Sequence, residues 1–360
     1  VEAPIKVETA AGEAERRAIF RLRYAVYVEE MHKRPPDADH QEKTITDPWD
    51  ATATLLYVKR EGKLLGTLRR NLCSQTPIPE EMRAWLNLQP FLESFDPAQT
   101  TISSRFIVAP QWRSSAVAAL LIEEAYRSAR REVVLFDFNH CSPSLVSLYE
   151  QMGFRRYTRN FLHPELGVQI PMVLVLEDVQ HLRLAKSPFL RIARAHENDP
   201  AAGDWFRDTF PEYARFLNPR TLSREAFWQV LGEILHRPVT EGVPLFAGLE
   251  EEQVRQFLRA VTVHRFAERQ TTIRKGDVGR EIYIVLSGMV EVLGTTSDYR
   301  YSLGKIGAGG VFGEIAVFGK TLRTADVAAV TDSELLVLGD TSNALVEASR
   351  SLGGTSTIGG

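Results

Sequence analysis

Cysteine is nearly missing from this chain: Cys73 and Cys141 are the only two among 360 residues. Two thiols cannot build a disulfide framework or a cysteine-based zinc centre, so both read as reduced thiols of a cytoplasmic protein. No run of ~18 apolar residues occurs, and the opening Val1-Glu2-Ala3-Pro4 has neither the basic nor the apolar part of a secretion signal. Membrane contact is therefore expected to be peripheral at most. Surplus positive charge is lacking as well: 43 Lys and Arg stand against 46 Asp and Glu. That balance gives generic nucleic-acid binding no electrostatic support. His32, His40, His140 and His163 have no ligand spacing, so no metal is expected. What is present, 44% hydrophobic and 25% charged residues, suffices for a full core and excludes disorder as the bulk state.

A length of 360 residues accommodates two domains and a connection. Over 13–31, Ile19, Phe20, Leu22, Val26 and Tyr27 recur at helical spacing. The polar, proline-broken stretch 37–50 reads as a loop, and 52–59 and 63–70 as a hairpin turning at Glu61-Gly62. A helix over 79–91, a strand over 101–108, a strong amphipathic helix over 116–130, a buried strand over 133–138, a helix over 144–152 and strands over 154–161 and 168–176 follow. Such alternation predicts an α/β sheet. From Asp178 the chain turns helical and is broken by Pro188, Pro200, Pro211, Pro219 and Pro238. Beyond Leu249, short segments around turns such as Ser287-Gly288 predict an antiparallel barrel or roll. The expected division is 1–178, a helical connector over 179–244, a second domain over 245–350 and a glycine-rich tail over 351–360.

Three groups of residues carry candidate chemistry. Val108-Ala109-Pro110-Gln111-Trp112-Arg113-Ser114-Ser115-Ala116 leaves a strand and opens a helix. Small residues there let a pyrophosphate or phosphopantetheine approach helix N–H groups while Arg113 adds charge. An ordinary strand-to-helix turn with capping serines reads the same way. Arg23, Asp47, Asp50, Arg69 and Arg105 read on their own as a surface salt-bridge network. In Gly313-Glu314-Ile315-Ala316, backbone N–H groups can face phosphate oxygens and Glu314 can accept from a ribose hydroxyl. Arg323, followed by Thr324, can fork onto the phosphate.

The last stretch resembles the phosphate-binding cassette of cyclic-nucleotide-binding domains. Ile273-Arg274-Lys275-Gly276-Asp277-Val278-Gly279 and Tyr283-Ile284-Val285-Leu286-Ser287-Gly288 resemble that family's strands and glycine turns. The resemblance implies a β-roll that binds cyclic AMP or cyclic GMP as an effector. Relatives often have proline where Leu322 stands, and Asp326 brings a second negative charge near Arg323. The tail is a poor helix to cover the base, and with no helix-turn-helix expected after it, a transcription factor of the catabolite-activator type is not expected.

The segment after Val108 resembles motif A of the GNAT acyltransferase superfamily, with Ala116 and Ala118 in place of glycines. Tyr149-Glu150-Gln151-Met152-Gly153-Phe154 resembles that superfamily's later tyrosine motif. More specifically, Arg23-Tyr24-Ala25-Val26-Tyr27, Asp47-Pro48-Trp49-Asp50, Gly66-Thr67-Leu68-Arg69 and Ser103-Ser104-Arg105-Phe106 occur in the order seen in autoinducer synthases and N-acyl amino acid synthases. This implies a GNAT-like fold over about 14–178 and transfer of a fatty acyl group from an acyl carrier protein or coenzyme A thioester to an amine, an amino acid foremost. It also implies a cluster of Arg23, Asp47, Asp50, Arg69 and Arg105 that orders an N-terminal lid and positions the amine. Its acids would polarise a water that takes the amine proton, and Tyr149 would protonate the departing thiolate. Tyr149 equally suits a core position closing a helix. In the relatives a glutamate lies three residues before the arginine matched by Arg105, and here that position is Ile102. A non-catalytic sensor or scaffold with a degenerate acyltransferase domain is the alternative.

Overall fold

The structure, a computed structural model, describes residues 5–338 apart from 114, 215–223, 237, 247, 258–260, 278, 280, 297, 298 and 316–321. The chain forms two compact units. One is drawn from 1–140, 149–158 and 171–215, the other from 141–148, 159–170 and 216–360. The expected tail over 351–360 lies outside the described residues. Among the described residues no helix is long and apolar enough to cross a membrane.

The first unit begins with β1 (Val7–Thr9), α1 (Glu13–Tyr24) and the two-residue strands β2 (Ala38–Asp39) and β3 (Thr44–Ile45). The hairpin β4 (Thr54–Arg60) and β5 (Lys63–Leu72) follows, then α2 (Glu80–Trp85), α3 (Gln89–Ser94), β6 (Thr100–Val108), α4 (Val117–Arg131) and β7 (Phe136–Cys141). After α5 (Val146–Met152) come β8 (Arg155–Arg156), β9 (Phe161–His163), which is counted with the second unit, and β10 (Gly167–Val175), which like α5 is divided between the two. The sheet runs in the order β1-β4-β5-β6-β7-β10-β8. β6 and β7 are parallel, as the α4 crossover between them requires. On one face α4 buries Val117, Leu121 and Ala125 against Leu56, Val58, Leu65 and Leu68. Gly66 permits this approach: a Cβ there would lie 2.9 Å from the Ile107 carbonyl and 3.0 Å from both Val117 and Leu121. On the other face Ile102, Phe136, Phe138 and Phe91 pack with Phe206 and Phe210.

Several boundaries differ from the sequence expectation for physical reasons. The helix expected over 13–31 ends at Tyr24 and continues as a π-helical turn, Ala25–Glu30. The strand expected over 133–138 starts at Phe136, because Val133 belongs to the end of α4. Its N–H donates to the Arg130 carbonyl and that of Val134 to the Ala129 carbonyl, which is a Schellman closure with valine at φ 59 where glycine is favoured. The loop expected over 37–50 contains the β2–β3 pair and a 3-10 turn, Pro48–Ala51.

The 179–244 segment, expected as a connector, divides between the units. In the first lie α6 (Val179–Leu184), α7 (Leu190–Ala193), α8 (Ala201–Thr209) and α9 (Pro211–Ala214), and Ala202, Phe206 and Phe210 complete its core. In the second, α10 (Arg224–Leu235), α11 (Val239–Gly242) and α12 (Glu251–Phe257) supply Leu231, Leu235, Val239 and Val254 to the core of a roll. That roll has two four-stranded antiparallel sheets, built from β11 (Val261–Phe266), β12 (Thr271–Ile273), β13 (Ile282–Ser287), β14 (Met289–Thr295), β15 (Arg300–Gly307), β16 (Val311–Phe312), β17 (Asp326–Ala329) and β18 (Ser333–Leu338). Their orders are β11-β18-β13-β16 and β12-β17-β14-β15. The antiparallel roll read from the sequence is the fold observed.

Candidate functional site

The five charged residues of the N-terminal motifs come together. Arg23, fully buried on α1, forks onto Asp50, Nη1 to Oδ2 at 2.7 Å and Nη2 to Oδ1 at 2.9 Å. Arg69 donates from Nη1 to Asp47 Oδ1 at 2.5 Å and to Asp50 Oδ1 at 3.2 Å, and from Nε to Ser104 Oγ at 2.9 Å. Arg105 donates from Nη2 to Asp47 Oδ2 and Asp37 Oδ2, both at 3.0 Å. Asp37 is a member that the motifs did not single out. Local geometry fixes the acids: Asp47 caps the Pro48–Ala51 turn by accepting from the Trp49 N–H, and Asp50 accepts from the Asp47 N–H.

A bulge aims Arg105. Thr67 pairs with Ile107 and Arg69 with Ser104, so β6 carries one extra residue, and Arg105 takes φ 51. Successive strand residues normally face opposite ways. The extra residue lets Ser104 reach Arg69 and Arg105 reach Asp47, the acid that also holds Arg69. No feature of the sequence marks this bulge.

Three guanidinium groups and three carboxylates thus balance, and every oxygen of Asp47 and Asp50 accepts from a guanidinium or a backbone N–H. Burial pushes both acids up, but the Arg69 guanidinium at Asp47 and that of Arg23 at Asp50 outweigh it and hold both below the ordinary carboxylate range. The pair stays ionised at neutral pH. Ile102 lies in the apolar cluster with Phe136 and Phe138.

The remaining candidates sit on other elements. Val108 ends β6, and its carbonyl accepts from Arg113 Nε at 3.3 Å. Arg113 also forks onto Glu30 at 2.6 and 2.8 Å, so its charge is already answered. Ser115 Oγ donates to the Trp112 carbonyl and accepts from the Val117 N–H. Ala116 is the N-cap of α4, and Ser114 lies outside the described residues. Tyr149 is half-buried on α5, its ring edge-on to Phe154 at 5.3 Å.

In the roll, Arg323 is buried and its guanidinium is held from three sides. Nη1 donates to the Gly313 carbonyl at 2.8 Å, and Nη2 to the Glu281 carbonyl and to Glu281 Oε2, both at 2.9 Å. Gly279 leaves room for it: a Cβ there would lie 2.8 Å from Arg323 Nε. Gly313 takes φ 87 and would crowd Arg323 Nη1 at 2.8 Å if it carried a Cβ. Glu314 and Ile315 open a helical turn, Thr324 is exposed, and Ala316 lies outside the described residues. Asp326 accepts from the Lys275 N–H at 2.7 Å and stands 3.6 Å from Arg300. Glu281 carries no motif of its own in the sequence: it follows Arg280 just before the apolar strand β13.

Comparison with known proteins agrees with this division. Residues 18–177 match the model of N-acyl amino acid synthase FeeM, and residues 263–343 match that of the cyclic nucleotide-binding domain. Over 103 residues, 28% of this chain, it is 35% identical to cyclic nucleotide-gated channel beta-1 of Homo sapiens and spans 8% of that protein. Over 99 residues, 27% of this chain, it is 33% identical to the cyclic AMP receptor protein of Thermus thermophilus and spans 46% of it. The regulatory domain of Toxoplasma gondii PKA, crystallised with cAMP, matches 34% of this chain and 47% of that one, at 26% identity and a TM-score of 0.31.

Proposed function

We propose that this chain, which joins an N-acyl amino acid synthase domain to a cyclic nucleotide-binding domain, moves a fatty acyl group from a carrier-protein or coenzyme A thioester to the amine of an amino acid. The donor class and the acceptor rest on the family resemblance. The observation that carries the reading is the closed network of Arg23, Asp50, Arg69, Asp47 and Arg105. Four separated motifs converge there, and with Asp37 the three arginines meet three carboxylates, Arg23, Asp50 and Arg69 buried and the others half-buried. Its chemical work is positioning: it pins the segment bearing Asp37, Asp47 and Asp50 to the strands bearing Arg69 and Arg105. In the GNAT-like arrangement, Val108, Arg113, Ser114, Ser115 and Ala116 would receive the carrier at the start of α4. Tyr149 would give a proton to the leaving thiolate.

The roll supplies control. Cyclic AMP or cyclic GMP would place its phosphate at Arg323 and its ribose at Glu314, beside Gly313, Ile315, Ala316 and Thr324. Glu281 now holds the arginine, so the phosphate would share or replace that carboxylate. Occupancy alters activity only by favouring one conformation over another.

One observation favours a second reading, a sensor or scaffold without turnover: Ile102 sits in an apolar cluster, at the position where the synthase resemblance implies a glutamate. A thioester-release assay with carrier-protein and coenzyme A donors across an amino-acid panel separates the two. Release that depends on an amine supports the enzyme, and carrier binding without turnover supports the scaffold.

A further inference from the structure

The sheet face opposite the ion network carries a second polar group. Arg70 follows Arg69 on β5 and so points the other way, toward the face that holds Leu68 and α4. It is 2% exposed, and one Nη2 bond goes to Glu132 just past α4. Its Nε and Nη1 are buried with no partner among the described residues. Arg70 pairs across the strands with Ser103. Ser103 Oγ donates to Asp137 Oδ2 at 2.9 Å, and Thr101 Oγ1 donates to Asp137 Oδ1 at 3.0 Å. Asn139, next on the same face of β7, has a buried Oδ1 without a partner among the described residues.

This group stands where the sheet opens. β6 and β7 are paired over 100–102 and 136–138, while β6 runs on to Val108 and β7 to Cys141. Burial follows the parting: 100–102 are buried, and 103–106 are partly exposed. Unsatisfied guanidinium donors beneath a parting pair of strands are costly without an anion or water to meet them. Burial pushes the Asp137 carboxyl up to about 6, against the hydrogen bonds from Ser103 and Thr101 and the charge of Arg70. Asp47, Asp50 and Asp178 are held low. A carboxylate that accepts a proton near pH 6 is still mostly ionised at neutral pH, which suits a base.

We propose that Arg70 and Asp137 form the acceptor site of the acyl transfer, Arg70 binding the carboxylate of an α-amino acid and Asp137 taking the proton from its amine. This rests on the acyltransferase reading above. The neutral amine attacks the thioester carbonyl carbon and forms the N–C bond. The N–H proton passes to Asp137, the C–S bond breaks, the thiolate takes the hydroxyl proton of Tyr149, and the proton on Asp137 returns to Tyr149 through solvent, leaving amide and free thiol. Asp137 thereby fills the role that no side chain can perform at Ile102. The ionised Asp47 and Asp50 keep to their arginines.

The test uses the full chain, a dodecanoyl thioester, and two acceptor pairs: L-leucine with 3-methylbutylamine, and L-phenylalanine with phenethylamine. Each pair differs by the carboxylate. Arg70→Met is expected to lower the ratio of kcat/KM for amino acid over amine by about tenfold or more. Asp137→Asn is expected to lower kcat about 100-fold or more, with binding of a non-hydrolysable dodecanoyl coenzyme A thioether unchanged. Ser103→Ala alters a partly exposed side chain and keeps the fold. It removes a hydrogen bond to the ionised acid, so the acid limb of the kcat profile, expected near pH 6, moves upward. An unmoved limb in Ser103→Ala, an unchanged acceptor ratio in folded Arg70→Met, or a folded Asp137→Asn with kcat lowered by less than about threefold overturns the assignment. An inactive wild type removes the acyltransferase reading itself, whereas an active wild type with any of those results removes only this site.

Discussion

Arg69 and Arg70 are consecutive on β5 and lie on opposite faces of the sheet. On the Arg69 face, every acid oxygen of Asp47 and Asp50 is taken and the charges cancel. On the Arg70 face, a buried guanidinium keeps two donors unused beside a carboxylate whose proton affinity is raised. The contrast separates charges that build the molecule from charges placed to receive something. The ion network holds strands and segments in register with every oxygen of its two central acids engaged, and Arg23 Nε is its buried donor without a partner among the described residues. The roll adds a third case: Arg323 is held by two carbonyls and one carboxylate, and under the proposed reading the carboxylate is the contact that an incoming phosphate would replace.

The largest expected effect tests the saturated face. Asp50→Ala leaves Arg23 buried without its carboxylate and is expected to cost about 3–5 kcal/mol in denaturant unfolding. The same face governs acid stability. Asp50 and Asp47 have folded pKa values below the ordinary value. Their contribution is therefore present above the ordinary carboxylate range and is lost as pH falls through the depressed values. The melting temperature of the wild type should fall across that window, and that of Asp50→Ala should fall less.

Next comes the cassette. In wild type, saturating cyclic AMP or cyclic GMP is expected to raise the melting temperature, and Arg323→Ala should abolish the rise. Glu281→Gln removes the competing charge and should enlarge it; a smaller rise would mean that Glu281 orients the arginine for the ligand.

Smaller effects concern single turns. Val133→Gly relieves a β-branched residue at φ 59 and is expected to stabilise the first unit by about 1 kcal/mol in denaturant unfolding. Arg113→Ala breaks an ion pair whose partners are 47% and 35% exposed, and should change stability by less than about 1 kcal/mol. A loss of donor-thioester affinity in that variant would give Arg113 a carrier-binding role in addition to its pairing with Glu30.

Much of this was legible in the chain. The order of Arg23, Asp47-Pro48-Trp49-Asp50, Arg69 and Arg105 implied one cluster through its resemblance to autoinducer synthases and N-acyl amino acid synthases, and the burial of Arg23, Asp50 and Arg69 requires such pairing. Alternating segments likewise pointed to a sheet followed by a roll. The bulge at Arg105 was not legible, since register is settled between strands and leaves no mark on either one. Val133 read as strand because it is β-branched, yet its place after Arg130-Arg131-Glu132 made it the residue that closes α4. Asp137 passed as a lone acid in a buried strand. Its meaning depends on Ser103 and Arg70, which are distant in sequence and adjacent only across the sheet. The connector failed as a separate piece because Phe206 and Leu231, similar in character, are claimed by two different cores.

The most direct measurement is amine-dependent release of thiol from a fatty acyl thioester, with and without cyclic AMP or cyclic GMP, in wild type and Arg323→Ala. The account predicts release that requires an amino-acid acceptor and whose rate changes with nucleotide in wild type alone. No release from any carrier-protein or coenzyme A donor, or a rate indifferent to nucleotide in both proteins, would contradict it.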